Sequence, residues 1–171
     1  FKGLRDIFPD IKLVIAPRRI ERAKTILNMG IVTGLNTLLR TDPDLSSKPE
    51  YDVLILDTLG ELERLYGIAE ISFVGGSMAP IGGHNLLEPA SFGRPVLFGE
   101  HTHNFVLMSH LLLQAGGGRR VKDPEELFIA LKELLSNPHG AEEMGRMAGK
   151  FVKDNSGALD RTMDCLGGYI E

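Results

Sequence analysis

The stretch FVGGSMAPIGGHNLLEP, from Phe73 to Pro89, decides the fold. It begins inside the apolar run Ile71–Val74 and continues directly into a segment dense in glycine. Glycines at this density after a buried strand form a tight turn or allow a ligand to approach the backbone closely. In an open parallel sheet, ligands bind beyond the carboxyl ends of the strands, so this stretch indicates an α/β protein with a site at that edge.

Apolar runs of the same kind recur along the chain and predict about six strands. They are short, rich in branched aliphatic residues and nearly free of polar alternation, as strands covered on both faces are. The predicted strands are Lys12–Ala16, Asn36–Arg40, Val53–Leu56, Ile71–Val74, Pro95–Phe98 and a weaker one at Arg119–Val121.

Amphipathic stretches between these runs predict helices. Asp123 is the expected N-cap of one of them, with Pro124 at its first position. Alternating strands and helices imply right-handed crossovers and a Rossmann-like parallel sheet of about six strands with helices on both faces, forming one domain over residues 1–171. The predicted helices are Ile20–Met29, Glu61–Ala69, Asn104–Ala115, Pro124–Leu135 and a polar one from Ala141 onward.

Composition narrows the possible functions. With 171 residues, 43% hydrophobic and 25% charged, the chain is of single-domain size and globular. A net charge of −4 argues against nucleic acid as a partner. One cysteine, Cys165, excludes a disulfide framework and a thiolate zinc site. No apolar run approaches the roughly 20 residues of a membrane span. Because the chain starts at Phe1, we expect a fragment of a longer protein, soluble as a fragment.

Pro17, Arg18 and Arg19 directly follow the first predicted strand. Pro17 ends the strand, and Arg18 can bind a phosphate or a carboxylate through a bidentate fork. The alternative is that these arginines only solvate the start of a helix. Cations oppose the dipole at a helix N-terminus, which favours an anion nearby.

The segment DTLGEL, residues 57–62, follows the third predicted strand. Thr58 and Glu61 have the spacing of a capping box, a structural role that can account for the whole motif. A functional role can coexist with it, because Gly60 lets a flat nucleobase approach the backbone.

The amides of the glycine-dense turn, followed by a helix N-terminus, favour a phosphate. Pro89 suits the first helical position, which leaves Glu88 at the mouth of the crevice, where its carboxylate can accept hydrogen bonds from ribose hydroxyls. Plain N-capping is the alternative role for Glu88. His84 can donate to a phosphate oxygen or serve only as a loop residue.

The segment GEHTHNF, residues 99–105, follows the fifth predicted strand. His101 and His103 do not make a metal site without further ligands. Asn104 is the expected cap of the next helix.

These motifs together resemble the C-terminal domain of the bacterial Kdo (3-deoxy-D-manno-octulosonic acid) transferases, which are glycosyltransferases of the two-domain GT-B type. The run from GGHN to LEP at this spacing is the most specific part of the resemblance, and Arg19 departs from it because the family usually has histidine there. The matching segments are IAPRRIERA (15–23), DTLGELERLYGIA (57–69), FVGGSMAPIGGHNLLEPA (73–90) and GEHTHNF (99–105).

The resemblance implies CMP-Kdo as the donor substrate, with no cofactor and no required metal. It further implies a lipid A precursor as acceptor, a catalytic base in an N-terminal domain absent from this chain, and a parent protein at the cytoplasmic face of the bacterial inner membrane. The expected donor-binding residues are Pro17, Arg18, Leu59, Gly60, Glu61, Gly82, Gly83, His84, Asn85, Leu86, Leu87 and Glu88.

Two alternatives share this architecture. Nucleotide-sugar 2-epimerases have the same two-domain shape, use a uridine diphosphate donor and need acid/base carboxylates in the cleft. A non-catalytic module that only binds a nucleotide is the other, and fold alone does not separate the three. All donor interpretations require that Arg18 and Glu88 open onto one cleft.

Overall fold

A computed structural model describes residues 1–46 and 50–156 of the chain. All six predicted strands are present, each three residues long. They are β1 Leu13–Ile15, β2 Thr37–Leu39, β3 Val53–Ile55, β4 Ser72–Val74, β5 Val96–Phe98 and β6 Gly118–Arg120.

The predicted helices are also present, with boundaries shifted by a few residues. A 3₁₀ turn at Ile20–Arg22 opens the second helix, and Cys165 lies outside the described residues. The helices are α1 Lys2–Arg5, α2 Ala23–Val32, α3 Leu62–Ile68, α4 Leu87–Ser91, α5 Val106–Gln114, α6 Pro124–Ser136 and α7 Pro138–Asn155.

The strands form two three-stranded parallel sheets, so the expectation of a single sheet of six is wrong. The strand order is β1-β3-β2 in one sheet and β4-β5-β6 in the other. An apolar run shows that a strand is covered on both faces, but it carries no information about which strand will be its hydrogen-bonding partner. Every strand pair is parallel, which confirms the parallel pairing inferred from the sequence.

The chain divides into two compact units, Phe1–Leu65 and Tyr66–Glu171, and each has its own sheet and core. In the first unit, Ala23 of α2 packs with Val53 and Ile55 of the central strand β3. Apolar side chains at helical spacing on α2, Ile26 and Leu27, cover the same cluster.

In the second unit, helices cover both faces of β5, which is completely buried. Val96 and Phe98 belong to a cluster with side chains of α5 and α7, whereas Leu97 packs with a second cluster that includes α6. Successive residues of a strand point to opposite faces, so this division follows from the strand period of two.

The start of α6 matches the sequence prediction. Pro124 is its first residue, and the Asp123 carboxylate accepts a hydrogen bond from the amide of Glu126 at 2.8 Å. An aspartate cap and an N1 proline satisfy or remove amides that would otherwise lack a partner. Among the described helices, none is both long enough and apolar enough to cross a membrane.

Candidate functional site

The predicted site residues lie at the carboxyl edges of the two sheets. In the first unit, β1 and β3 are neighbours with Ile15 beside Ile55, so the segments after them leave the same edge. These segments carry Pro17–Arg18 and Asp57–Glu61. In the second unit, β4 and β5 are neighbours in the same way, and the glycine-dense turn and the GEHTHNF segment leave that edge.

The guanidinium of Arg18 is available for a ligand. Its side chain is exposed, and it makes no hydrogen bond or ion pair with any residue in 1–46 or 50–156. Arg19 is also exposed and precedes the 3₁₀ turn without capping it through its side chain. An exposed, unpaired guanidinium can bind an oxyanion with two parallel hydrogen bonds.

The capping box predicted from Thr58 and Glu61 does not form. Helix α3 begins only at Leu62, one residue after Glu61. The Thr58 hydroxyl donates instead to Oε2 of Glu61 at 3.0 Å, and Nε of Arg40 lies 2.8 Å from the same oxygen. The Glu61 carboxylate is therefore already engaged within the protein.

Leu59 and Gly60 form an open surface beside the contacts among Thr58, Glu61 and Arg40. Leu59 is 84% exposed, and Gly60 has a φ of 82°, a left-handed conformation that favours glycine. A Cβ placed on Gly60 would meet nothing within 4 Å. A flat ring can therefore approach this backbone, as the nucleobase role of Gly60 requires.

Asp57 ties this segment to Thr41, the second residue after β2. Its carboxylate accepts hydrogen bonds from the Thr41 amide at 3.0 Å and from the Thr41 hydroxyl. Desolvation raises the pKa of Asp57, but hydrogen bonds from the Thr41 hydroxyl and from the backbone amides of Thr41, Asp57 and Arg40 together outweigh it and hold the pKa below its ordinary value of 3.8.

The glycine-dense turn closes on itself. Gly82 and Gly83 have φ values of 104° and 76°, and both residues are buried. The Gly83 amide donates to the carbonyl of Gly76 at 2.9 Å, so the expectation that both amides face a phosphate is wrong for Gly83. The Gly82 amide has no partner among the described residues.

Asn85 orients Glu88 at the start of α4. The Asn85 side chain accepts a hydrogen bond from the Leu87 amide at 3.0 Å and donates to Oε1 of Glu88 at 3.2 Å. Pro89 is the third residue of α4 and not the first, and the N-cap position belongs to Leu86, so Glu88 does not cap the helix. The exposed Glu88 carboxylate keeps a second oxygen for a ligand.

Three other predicted residues contribute in more limited ways. Leu86 is 1% exposed and belongs to the core, and Leu87 packs against the same cluster. His84 is half-buried beside Gly76, where a Cβ placed on that glycine would lie 3.1 Å from its Nε2.

Sequence reasoning missed Ser77, which joins the two loops of the second unit. Its buried hydroxyl donates to the Val74 carbonyl at 2.6 Å and accepts from the Gly99 amide at 2.8 Å. Its carbonyl accepts from the His101 amide at 2.9 Å. A serine after two glycines is an ordinary turn residue, and nothing in the sequence pairs it with Gly99.

Asn104 does not cap α5, because the N-cap residue is Phe105. The backbone amide of Asn104 donates instead to the Gly82 carbonyl at 3.2 Å. This hydrogen bond holds the GEHTHNF segment against the glycine-dense turn. No group of three His, Cys, Asp or Glu side chains in the described part of the chain is arranged as metal ligands.

Known proteins resemble this chain in sequence and in fold. The 3-deoxy-D-manno-octulosonic acid transferase of Haemophilus influenzae is 33% identical over 165 residues, covering 96% of this chain and 38% of that protein. The transferase of the same name from Aquifex aeolicus is 38% identical over 136 residues, covering 80% of this chain and 37% of that protein. No protein-family model matches.

The crystal structure of the C-terminal CMP-Kdo binding domain of WaaA from Acinetobacter baumannii has a TM-score of 0.78 to this chain. The match covers 88% of this chain and 78% of that one at 24% sequence identity, and it shows a shared fold. The chain therefore has the α/β fold of that C-terminal domain.

The sequence matches confirm the resemblance drawn from the motifs: the chain is similar in sequence to Kdo transferases. It spans 38% and 37% of the length of these two curated relatives. Both are transferases, which supports the transferase interpretation and not the epimerase alternative.

Proposed function

We propose that the chain is the CMP-Kdo-binding domain of a transferase that attaches Kdo to a lipid A precursor in lipopolysaccharide biosynthesis. The observation that carries the proposal is 33% and 38% identity to Kdo transferases over 96% and 80% of the chain. In this proposal residues 1–171 act as one donor domain. The acceptor domain lies outside the chain, and the complete protein works at the cytoplasmic face of the bacterial inner membrane.

In the first unit, we assign the nucleobase to the surface formed by Leu59 and Gly60, which is open enough for a flat ring. Glu61 lies beside that surface, and its carboxylate is held by an ion pair with Arg40 and a hydrogen bond from Thr58. Pro17 ends the first strand segment so that Arg18 extends beyond the sheet edge. The unpaired guanidinium of Arg18 is the phosphate ligand.

In the second unit, Glu88 accepts hydrogen bonds from the ribose hydroxyls while Asn85 fixes its orientation. The Gly82 amide and His84 are the proposed partners of the phosphate oxygens. Replacing Glu88 should therefore weaken CMP binding.

The proposed reaction is a displacement at the anomeric carbon with inversion. The acceptor oxygen forms a bond to that carbon as the bond to the CMP phosphate oxygen breaks, and a carboxylate outside this chain takes the acceptor proton. Negative charge grows on the departing phosphate. The Arg18 guanidinium then binds the transition state more strongly than the ground state, which raises kcat.

Thermal unfolding of the chain with CMP or with UDP tests the nucleotide assignment. A ligand that binds only the folded state at about 100 times its Kd adds about 2.7 kcal/mol of stability, so CMP should raise the Tm clearly and UDP much less. A larger effect of UDP would favour the epimerase alternative. No response to either nucleotide would remove the donor-site proposal.

We propose that no metal or cofactor takes part in donor binding, because Arg18 and the Gly82 amide supply the positive charge. CMP titrations with EDTA and with added Mg²⁺ should then give the same Kd. A Kd that improves with Mg²⁺ would contradict this part of the proposal.

A further inference from the structure

An open cleft of about 420 Å³ lies in the second unit, beyond the carboxyl ends of β5 and β6. Its walls carry three imidazoles and one guanidinium. His101 and His103 come from the loop after β5, His110 from α5, and Arg120 is the last residue of β6. Its buried floor includes Thr102 and Ser109, whose hydroxyls are 3.0 Å apart.

The basic side chains of the cleft lack internal partners. Within residues 1–46 and 50–156, the side chains of Arg120 and the three histidines make no hydrogen bond or ion pair. Glu100 is the acidic residue that lines the same cleft. The neighbouring Arg119, in contrast, forms an ion pair with Glu133 of α6. Adjacent strand residues point to opposite faces, so only Arg120 turns toward the cleft.

The chemistry of the cleft suits an anion. A guanidinium has five N–H donors, no acceptor and a permanent positive charge, so it cannot be a ligand for a cation. No three His, Cys, Asp or Glu side chains in the described part of the chain converge as metal ligands. A planar oxyanion such as a carboxylate matches a guanidinium through two parallel hydrogen bonds.

The cleft adjoins the glycine-dense turn. The backbone amide of Asn104 donates to the Gly82 carbonyl at 3.2 Å. A Cβ placed on Gly82 would lie 2.7 Å from Nε2 of His103. A Cβ placed on Gly83 would lie 3.3 Å from the His101 carbonyl oxygen. A phosphate bound at this turn, as proposed above, would therefore lie next to the cleft.

We infer that the cleft binds the carboxylate of the donor's acid sugar, with Arg120 as its bidentate partner and His103 beside it. The inference rests on the proposed function, since the sugar transferred by the relatives is an octulosonic acid. A phosphate of the nucleotide is also an oxyanion that a guanidinium can bind. The titrations below distinguish a bound phosphate from a bound carboxylate.

Calorimetric titrations of the 171-residue chain with three probes test the assignment: CMP, free Kdo and the methyl ester of Kdo. The ester lacks the negative charge of the acid and carries one additional methyl group. Kdo should bind at least about tenfold more tightly than the ester, the discrimination expected from charge-assisted hydrogen bonds. The titrations are repeated with saturating CMP.

Arg120→Gln should remove the preference for the acid and leave CMP affinity unchanged. Arg119→Gln is the matched control, because it removes the same charge from the neighbouring position outside the cleft and should keep the preference. His103→Gln, at an exposed loop position, is a second variant that should reduce the preference even if Arg120→Gln does not fold.

Equal binding of Kdo and its ester to the wild-type chain would overturn the inference. A loss of CMP affinity in Arg120→Gln would assign the cleft to a phosphate and would overturn it as well. If CMP fails to bind while the Arg120-dependent preference for the acid persists, the nucleotide proposal fails and the cleft assignment stands.

Discussion

Tyr66 and Glu88 are electrostatically coupled in the second unit. Burial raises the pKa of the Tyr66 phenol above its ordinary value of 10.0, and the negative charge of Glu88 raises it further. The Tyr66 ring packs beside Phe92, with ring centroids 6.5 Å apart, and Phe92 is the C-cap of α4, the helix that carries Glu88. The phenol therefore reports on the charge at a residue that we assign to the ribose.

Glu88→Gln should lower the pKa of Tyr66 but leave it above 10.0, because the larger contribution, burial, remains. Ultraviolet titration of the phenol measures this, with Tyr66→Phe used to subtract the other tyrosines. Glu70→Gln is the control, since it removes an exposed acid from the same unit. Equal shifts in both variants would contradict a specific coupling.

The same raised pKa predicts a loss of stability in alkali. Below pH 10 the phenol is neutral in both the folded and the unfolded chain, and its contribution to stability is complete. As the pH rises from 10 through the folded-state pKa, the unfolded chain ionises first, so stability falls. Urea unfolding across this range should show a weaker decline for Tyr66→Phe than for the wild type.

Ser77→Ala should destabilise the second unit. The substitution leaves the buried Gly99 amide without its acceptor, which costs about 1–3 kcal/mol. Urea unfolding measures the difference. Ser91→Ala is the matched control because the Ser91 hydroxyl, which donates to the Glu88 carbonyl at 2.7 Å, is exposed. Similar losses in the two variants would show that Ser77 does not hold the two loops together.

The lowered pKa of Asp57 predicts that the first unit loses stability in acid. Desolvation opposes but does not cancel the Thr41 hydrogen bonds that lower the pKa of Asp57 below 3.8. The resulting stability is complete above pH 3.8 and is lost as the pH falls through the folded-state pKa. Asp57→Asn should make unfolding less dependent on pH in this acidic range. Asp10→Asn, at an exposed position, should leave the wild-type dependence intact.

The strands and most helices of this fold were predictable because burial on both faces and amphipathic spacing leave direct marks in the sequence. β5 is the clearest case, since Val96, Leu97 and Phe98 are all completely buried. Pairing was not predictable. The division into two sheets depends on which strands each crossover brings together, and an apolar triplet pairs equally well with any other.

In the candidate site too, the residue type needed at a position was predictable from the sequence, whereas its hydrogen-bonding partner was not. Positions that need glycine, such as Gly60 and Gly82, were recognisable, and both have positive φ. The partners of polar groups were not recognisable, because they come from distant positions in the chain. The Gly83 amide is taken by Gly76, and the cleft around Arg120 depends on a strand end and a loop that no local motif connects.

Arg18→Ala should weaken CMP binding by about tenfold or more, the cost of losing charge-assisted hydrogen bonds to a phosphate. The substitution should leave the Tm of the free chain unchanged, because the Arg18 side chain is exposed and has no partner among the described residues. Calorimetry measures the affinity, and Arg22→Ala is the control because Arg22 is also exposed and ends the 3₁₀ turn. In a complete transferase, kcat should fall together with donor affinity, since the phosphate gains negative charge as the sugar departs. A variant with lower affinity and wild-type kcat would make Arg18 a ground-state ligand only, and wild-type affinity would remove Arg18 from the donor site.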